Sequence, residues 1–252
     1  MEIYVCNVDG SDMQKITDLG GANWAPYFHP SNEKIIFSSN HASERGYQFN
    51  LYMINIDGTG LTQLTDGTYN NLDPCWLPDG GIAFISDRKP AYAYCYVVTS
   101  PVLYRMDSDG SNQKRLSANY LMDFTPSVLE DGRIIYTRWE YVDRPACPIQ
   151  SLWAINPDGT GLAGFYGNRV LSPGTFMDAQ PVPGTNRIVA TAILQAIAEE
   201  MIGGISTPIN IQRAFINQIT RIWGSQRKDW TGIIFGTGFG RREENWGLEP
   251  IC

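Results

Sequence analysis

The chain has 252 residues and a formal net charge of −7, with 43% hydrophobic and 18% charged residues. This length suits one large β domain, and the acidic balance argues against a protein that binds the phosphate backbone of nucleic acids. No apolar run approaches the roughly 18 residues of a membrane span, the plentiful Gly and Pro favour turn-rich β structure over a helical bundle, and we recognise no signal peptide before the first strand-like segment.

A repeat of about 50 residues organises the first three quarters of the chain. In four places an apolar segment with an aromatic residue runs into an Asp-Gly pair followed by Ser or Thr, as in Leu51–Thr59. The four aspartates are spaced by 48, 52 and 49 residues: Asp9, Asp57, Asp109 and Asp158. A proline follows 17 residues after each of the first three aspartates, and we align Pro181 as the fourth member of the series Pro26, Pro74, Pro126 and Pro181. Two motifs that recur at a fixed offset indicate a repeat architecture.

Each repeat unit predicts four short antiparallel strands, which we call A to D from the inside outward. An Asp-Gly pair between apolar segments is a strong hairpin signal, because Gly adopts positive φ without a Cβ clash. Four strands in a unit of about 48 residues are typical of a β-propeller blade. The predicted fold is therefore all-β, with three whole blades between an N-terminal outer half blade and a C-terminal inner half blade. An open arc is the favoured arrangement, and a closed four-bladed ring is the alternative.

The repeat resembles the TolB-like β-propeller family. The pattern Leu-Tyr-x-x-Asn-x-Asp-Gly-Thr, continued to Pro-Asp-Gly-x-Ile-x-Phe-x-Ser-Asp, matches this family from Leu51 to Asp87. This resemblance implies a six-bladed ring, of which the chain holds an arc, and an exported, periplasmic bacterial protein. Residues 86–95 and 136–144 are similar to the middle propeller domain of hydrazine synthase alpha-subunit-like proteins. Those proteins carry out oxidoreductase chemistry on haems bound by CxxCH motifs, which this sequence lacks, so the chemistry does not carry over.

The sequence divides into residues 1–192, which hold the repeats, and an atypical tail, residues 193–252. After residue 192 neither Asp-Gly nor Pro-Asp-Gly recurs. Two segments of the tail could be helical, one over residues 193–201 and one beginning at Pro208. The alternative is that the tail is not native coding sequence, for example the product of an altered reading frame.

The long irregular loops are predicted on one face of the arc. Strand direction alternates within a blade, so the tight turns after strands A and C lie on one face, and the B–C and D–A loops lie on the other, the long-loop face. Binding often concentrates in long loops on a rigid scaffold. Two B–C loops combine charged and aromatic residues as protein interfaces do: Arg88, Arg138, Trp139, Glu140 and Tyr141. The alternative is a solvated loop surface.

A polar row is predicted at the start of strand A. Three residues before the aligned prolines stand Asn23, Asn71, Asp123 and Asp178. Oxygen ligands suit hard cations, so Asp123 and Asp178 are weak candidates for a calcium site. The favoured alternative is that these side chains cap turns by bonding backbone amides. No other metal or cofactor is indicated.

The remaining motifs argue against catalysis by this chain alone. No GxSxG motif occurs, and the two histidines, His29 and His41, lie in turn and loop segments. Cys95 and Cys147 lie in B–C loops of consecutive blades and are either two free thiols or, less favoured, a disulfide. The sequence therefore predicts a non-catalytic binding or scaffold module that contacts a protein partner or other domains of a longer polypeptide. The alternative is the propeller portion of a larger haem oxidoreductase.

Overall fold

A computed structural model describes residues 1–44, 46, 48–88, 92, 99–140, 150–170 and 174–193, and the backbone of residues 231–236. These residues form strands and turns, with no helix among them. None of the described segments could cross a membrane as a helix. The strands are β1 (Glu2–Asn7), β2 (Gln14–Lys15), β3 (Asn23–Phe28), β4 (Lys34–Ser39), β5 (Asn50–Asn55), β6 (Thr62–Gln63), β7 (Asn71–Trp76), β8 (Ile82–Ser86), β9 (Val102–Met106), β10 (Lys114–Arg115), β11 (Asp123–Val128), β12 (Ile134–Trp139), β13 (Gln150–Ile155), β14 (Ala163–Tyr166), β15 (Thr175–Pro181), β16 (Ile188–Ile193) and β17 (Thr231–Gly236).

Three complete four-stranded blades stand between two partial ones. The complete blades are β3-β4-β5-β6, β7-β8-β9-β10 and β11-β12-β13-β14, each antiparallel. Strands β15 and β16 begin a further blade, and β15 touches β13 through one parallel pair, Gln150 and Thr175. The inner strands lie side by side in the order β3, β7, β11, β15. The predicted all-β fold, an open arc of four-stranded blades, is thus confirmed.

The N-terminal half blade acquires a strand from the tail. Strand β17 pairs antiparallel with β1 along its whole length, from Glu2 opposite Gly236 to Asn7 opposite Thr231, on the side away from β2. It therefore takes the place of strand B in the first blade. The sequence analysis did not predict this strand, and the two predicted tail helices lie outside the described residues apart from Ile193, which ends β16.

The hydrophobic cores lie between neighbouring blades. In strand B of the second complete blade, Ile82, Ala83, Phe84 and Ile85 are all buried, because a neighbouring blade covers each face of the sheet. One cluster joins Ile36 and Leu51 of one blade to residues of the next, and the other inter-blade contacts repeat this arrangement. A blade is therefore stabilised by its neighbours rather than by itself.

Each strand A contains a bulge with a residue at positive φ. These residues are Ala25, Asp73, Thr125 and Asp178, with φ between 44° and 52°, and the register with strand B shifts at each of them. Counting from the bulge places Phe176, not Asp178, in the row of Asn23, Asn71 and Asp123, and Ala179, not Pro181, in the proline row. The alignment of Asp178 and Pro181 was wrong by two positions, because the D–A loop before β15 is longer: Phe176 lies 18 residues after Asp158, whereas Asp123 lies 14 after Asp109.

Candidate functional site on the long-loop face

The first residue of strand A links its own blade to the preceding one. In the first complete blade, Asn23 is fully buried. Its amide donates to the carbonyl oxygen of Met1 at 2.7 Å and to Glu2 Oε2 at 3.2 Å, while its Oδ1 accepts from Ser39 Oγ at 2.5 Å. These bonds join strand A to strand B of its own blade and to strand C of the preceding one. None of these bonds comes from a backbone amide, so Asn23 links strands here and does not cap a turn in the way the sequence favoured.

The next blade repeats the arrangement with an asparagine pair. Asn71 Nδ2 donates to Asn50 Oδ1 at 3.1 Å, and Asn71 Oδ1 accepts from Ser86 Oγ at 2.9 Å. Asn50 Oδ1 also accepts from Thr65 Oγ1 at 3.0 Å, and that hydroxyl in turn accepts from the Leu51 amide at 2.9 Å. Every buried polar group of this set is thereby satisfied, as buried polar groups generally must be.

In the third blade an aspartate supplies an acceptor that the preceding blade takes from Asn50. Val102 stands where Asn50 stands in the preceding blade, so no side-chain acceptor is present for the Ser117 hydroxyl. Asp123 supplies it: its Oδ2 accepts from Ser117 Oγ and, at 3.4 Å, from the Leu103 amide. Its Oδ1 accepts from Asn119 Nδ2 at 3.0 Å. A carboxylate has acceptor capacity on both oxygens, whereas an asparagine has only one acceptor oxygen.

Two aspartates of the inner strands have raised pKa values. Complete burial raises the pKa of Asp123 to about 6, against the lowering effects of Ser117, Arg138 and Asn119. Burial also raises the pKa of Asp73 to about 6, which the Thr125 amide opposes and Asp178 reinforces. Asp73, Thr125 and Asp178 belong to the bulge row, where the Thr125 amide donates to Asp73 Oδ2 and the Asp178 amide to Thr125 Oγ1, both at 3.3 Å. Among the described residues no group of three or more His, Cys, Asp and Glu side chains is placed to hold a metal ion.

Aromatic residues of strand C carry basic side chains at the long-loop face. The His41 ring lies 4.6 Å from the ring of Tyr52. The guanidinium carbon of Arg88 lies 5.4 Å from the ring centroid of Tyr104. The guanidinium carbon of Arg138 lies 5.2 Å from the ring of Trp153. Tyr52, Tyr104 and Trp153 hold equivalent positions in the three complete blades, so a contact with an imidazole or guanidinium group recurs around the arc. Burial lowers the pKa of His41, so its ring favours the neutral form.

Arg88 is the most enclosed by aromatic rings. Besides Tyr104, its guanidinium carbon lies 5.4 Å from the ring of Phe84 and 5.9 Å from that of Tyr69. Its Nη2 donates to Asn71 Oδ1 at 2.7 Å and its Nε to Ser86 Oγ at 3.1 Å. Burial lowers the pKa of Arg88, while the Tyr104 and Tyr69 rings and two aspartates act in the opposite direction.

Arg138 has a different electrostatic environment. Its Nε bonds Glu140 Oε1 at 3.1 Å, with both side chains largely buried. Burial tends to lower the pKa of Arg138, but Asp123 and Glu140 outweigh it and hold the pKa above its ordinary value. Arg138 therefore acts as an internal partner of carboxylates, whereas Arg88 donates its hydrogen bonds to the neutral Ser86 and Asn71 side chains.

The long-loop face also exposes large aromatic side chains. Trp24 is 39% exposed and stacks on Phe49 with ring centroids 5.0 Å apart. Tyr69, Tyr92 and Tyr120 are exposed in the loops of the same face. Exposed aromatic residues beside arginine are the side chains that contribute most to binding at protein interfaces.

On the opposite face, the aspartates of the tight turns form hydrogen bonds within their own turns. The four Asp-Gly aspartates, Asp9, Asp57, Asp109 and Asp158, each accept the backbone amide of the Ser or Thr two residues later at 2.9 Å. Hydrogen bonds from the hydroxyl and amide of that Ser or Thr lower the pKa of all four aspartates. Residues 107–112 therefore form a tight turn that is closed by its own hydrogen bonds.

The structure distributes the sequence-predicted residues over three environments. Asn23, Asn71 and Asp123 lie in buried hydrogen-bond networks between strands, and Asp178 lies in the bulge row, so they do not form one exposed arc. Arg88, Arg138 and Glu140 lie on the long-loop face, where Trp139 is buried. Tyr141, Cys95 and Cys147 lie outside the described residues, so the disulfide stays a prediction. The sequence analysis did not predict that Tyr104 and Trp153 would contact arginine side chains. The available signal was their fixed position, one residue after the leucine of strand C.

Repeated four-stranded blades around a common inner row of strands define a β-propeller. The family model described as the TolB beta propeller domain matches residues 1–149, and the chain belongs to this family.

Individual relatives agree with this assignment. A TolB homolog of Chlorobium chlorochromatii is 37% identical over 132 residues, which are 52% of this chain and 27% of the relative. The hydrazine synthase structure from Kuenenia stuttgartiensis aligns with a TM-score of 0.61 and 17% identity, over 71% of this chain and 30% of that one. The structure of a putative TolB from Agrobacterium tumefaciens aligns with a TM-score of 0.54 and 20% identity, over 66% and 56%. The chain spans less than a third of the curated relatives it matches, and the structural similarities concern the fold.

Proposed function

We propose that this chain is a non-catalytic binding module whose long-loop face contacts a protein partner or other domains of a longer polypeptide. The observation that carries the proposal is the contrast between the two faces. The long-loop face presents Arg88 among aromatic rings together with exposed Trp24 and Tyr69, whereas the turn face satisfies its aspartates locally. Export to the periplasm, which the family resemblance implies, belongs to the same proposal.

A pair of matched variants tests the face. Tyr69 is 42% exposed on the long-loop face, and Leu61 is 40% exposed in a turn of the opposite face. A photo-cross-linking amino acid at position 69 in the full-length protein identifies the partner in cells of the source organism. The affinity of the purified partner is then measured for Tyr69→Ser and Leu61→Ser.

Removal of a buried interface tyrosine typically weakens binding by about 2 kcal/mol. We therefore expect Tyr69→Ser to lower the affinity about thirtyfold and Leu61→Ser to leave it within a factor of two. Equal losses for both variants, or a loss confined to Leu61→Ser, would place the binding surface elsewhere.

The rival function, the propeller portion of a haem oxidoreductase, rests on the sequence similarity of residues 86–95 and 136–144. It requires catalytic domains encoded beside this segment. Gene sequence on both sides that encodes an export signal and CxxCH motifs would favour it, and flanking sequence without haem-binding motifs would exclude haem chemistry of that kind.

A further inference from the structure

Arg88 is a partly buried cation that forms no ion pair with the described residues. Burial lowers its pKa, and Asp66 and Asp87 oppose this effect without lying within 4.0 Å of it. Its hydrogen-bond acceptors, Asn71 and Ser86, are neutral. Four ion pairs within 4.0 Å occur among the described residues, and Arg88 takes part in none of them. Withdrawing a charge from water is costly unless an opposite charge compensates it. The site therefore favours an anion from outside the described part of the chain.

The hydrogen-bond geometry leaves one edge of the Arg88 guanidinium open. An arginine has five N–H donors, arranged on two edges that each fit a carboxylate. Ser86 and Asn71 occupy the edge formed by Nε and Nη2. The other edge, formed by Nη1 and the second hydrogen of Nη2, has no acceptor among the described residues.

The surroundings hold this guanidinium in place. The rings of Phe84, Tyr104 and Tyr69 enclose it, and Asp87 fixes the neighbouring loops. Asp87 is not available as a counter-ion in the same geometry, because its oxygens accept from the Asn70 amide at 2.7 Å, from Asn70 Nδ2 at 2.9 Å and from Thr99 Oγ1 at 2.6 Å. A preorganised arginine loses little freedom when it binds a planar anion.

We propose that the open edge of Arg88 binds a carboxylate group in a bidentate manner. The proposal rests on the proposed function, because it names the chemistry of the group that the long-loop face recognises. Tyr69 lines the exposed side, so the ligand contacts an aromatic ring as well as the guanidinium. An acidic side chain of a partner protein and a small carboxylic acid share this chemistry.

Chemical-shift titrations test the site without a partner. The protein is labelled at arginine Nε and Cζ and at the backbone amides, and it is titrated with sodium acetate at constant ionic strength, with chloride replacing acetate in the reference series. We expect saturable shifts of the Arg88 Cζ and of the Tyr69 and Asn70 amides. Arg105 is the internal control, because its guanidinium already bonds Asp79 Oδ2 and the Pro157 carbonyl oxygen, both at 2.9 Å; its shift should not saturate.

The variant Arg88→Lys keeps the positive charge but removes the pair of parallel N–H donors that binds a carboxylate. Loss of a charge-assisted hydrogen bond weakens binding about tenfold, so the Tyr69 amide should need about ten times more acetate for half-saturation. A second titration with the acetylated, amidated tetrapeptide Glu-Glu-Glu-Glu distinguishes the sources. Tighter binding of the peptide than of acetate, compared per carboxylate, indicates a protein ligand, and equal binding per carboxylate indicates a small acid.

Parallel, unsaturable shifts of Arg88 and Arg105, or equal acetate affinities for the parent and Arg88→Lys, would overturn the carboxylate site. That failure would leave the long-loop face to be judged by the Tyr69→Ser and Leu61→Ser affinities, which do not depend on acetate. The two proposals therefore fail separately.

Discussion

The buried Asp123 should reverse the usual pH dependence of an aspartate. Its pKa in the folded protein is about 6, compared with an ordinary value of 3.8. The folded state therefore binds a proton more readily than the unfolded state, and stability from this group increases as the pH falls through 6 towards 3.8. The full difference corresponds to about 3 kcal/mol at about 1.4 kcal/mol per pH unit, of which about 2 kcal/mol is present at pH 4.5.

The substitution Asp123→Asn isolates this contribution. Asparagine cannot ionise, but it offers one acceptor oxygen to Ser117 and presents a donor to the Asn119 amide, which is itself held by Met122 and Trp139 carbonyl oxygens at 3.2 and 3.1 Å. At pH 8 the loss of one acceptor oxygen destabilises the Asp123→Asn variant, whereas the removal of a buried negative charge stabilises it. We expect the destabilisation by Asp123→Asn to grow by about 2 kcal/mol between pH 8 and pH 4.5, measured by urea unfolding followed by tryptophan fluorescence.

Asp109→Asn is the matched control with the opposite sign. Asp109 is exposed, and hydrogen bonds from Ser111 lower its pKa below 3.8, so its stabilisation is present above that pH and is lost as the pH falls through its folded pKa. Asp109→Asn should destabilise equally at pH 8 and pH 5 and less at still lower pH. A destabilisation by Asp123→Asn that is independent of pH, or that shrinks towards pH 4.5, would refute the burial argument.

Three further predictions follow from the blade contacts. Gly110→Ala should cost at least about 2 kcal/mol more than Gly10→Ala, because both glycines have φ near 85° but only a Cβ at Gly110 would come within 2.1 Å of the Leu64 carbonyl oxygen; similar unfolding free energies for the two variants would contradict that packing. Millimolar calcium should leave the melting temperature unchanged, since protein donors occupy the oxygens of Asp123, and a rise that Asp123→Asn abolishes would restore the calcium hypothesis. Deletion of residues 194–252 should lower the midpoint of unfolding because β1 loses its pairing with β17, whereas an unchanged midpoint would support the interpretation of the tail as non-native sequence.

The repeat itself could be predicted because its signals are local. Asp-Gly turns and short apolar strands act within a few residues, and their fixed spacing reports four strands per blade without any knowledge of the neighbours. The strand β17 has no such signal. It carries no Asp-Gly turn, and its place beside β1 depends on a contact across more than 220 residues.

In the polar row at the start of strand A, residue spacing was not enough to align the fourth blade. Asp178 was aligned through Pro181, but a longer loop before β15 and an alanine at the proline position shift the true register by two residues. The replacement of the Asn50-type acceptor by Asp123 could not be predicted, because Ser117 meets Leu103 and Asp123 only where two blades pack together. The contacts between arginines and aromatic rings likewise could not be predicted, because they depend on which side chain of strand C faces the loop.

Hydrogen exchange on the full-length protein, alone and in complex with the partner cross-linked through position 69, tests the binding face most directly. The binding account predicts slower exchange in the long-loop segments 66–73 and 117–123 on complex formation, with no change in the turns at residues 56–60 and 107–112. Slower exchange in the turns, with unaffected long loops, would contradict it.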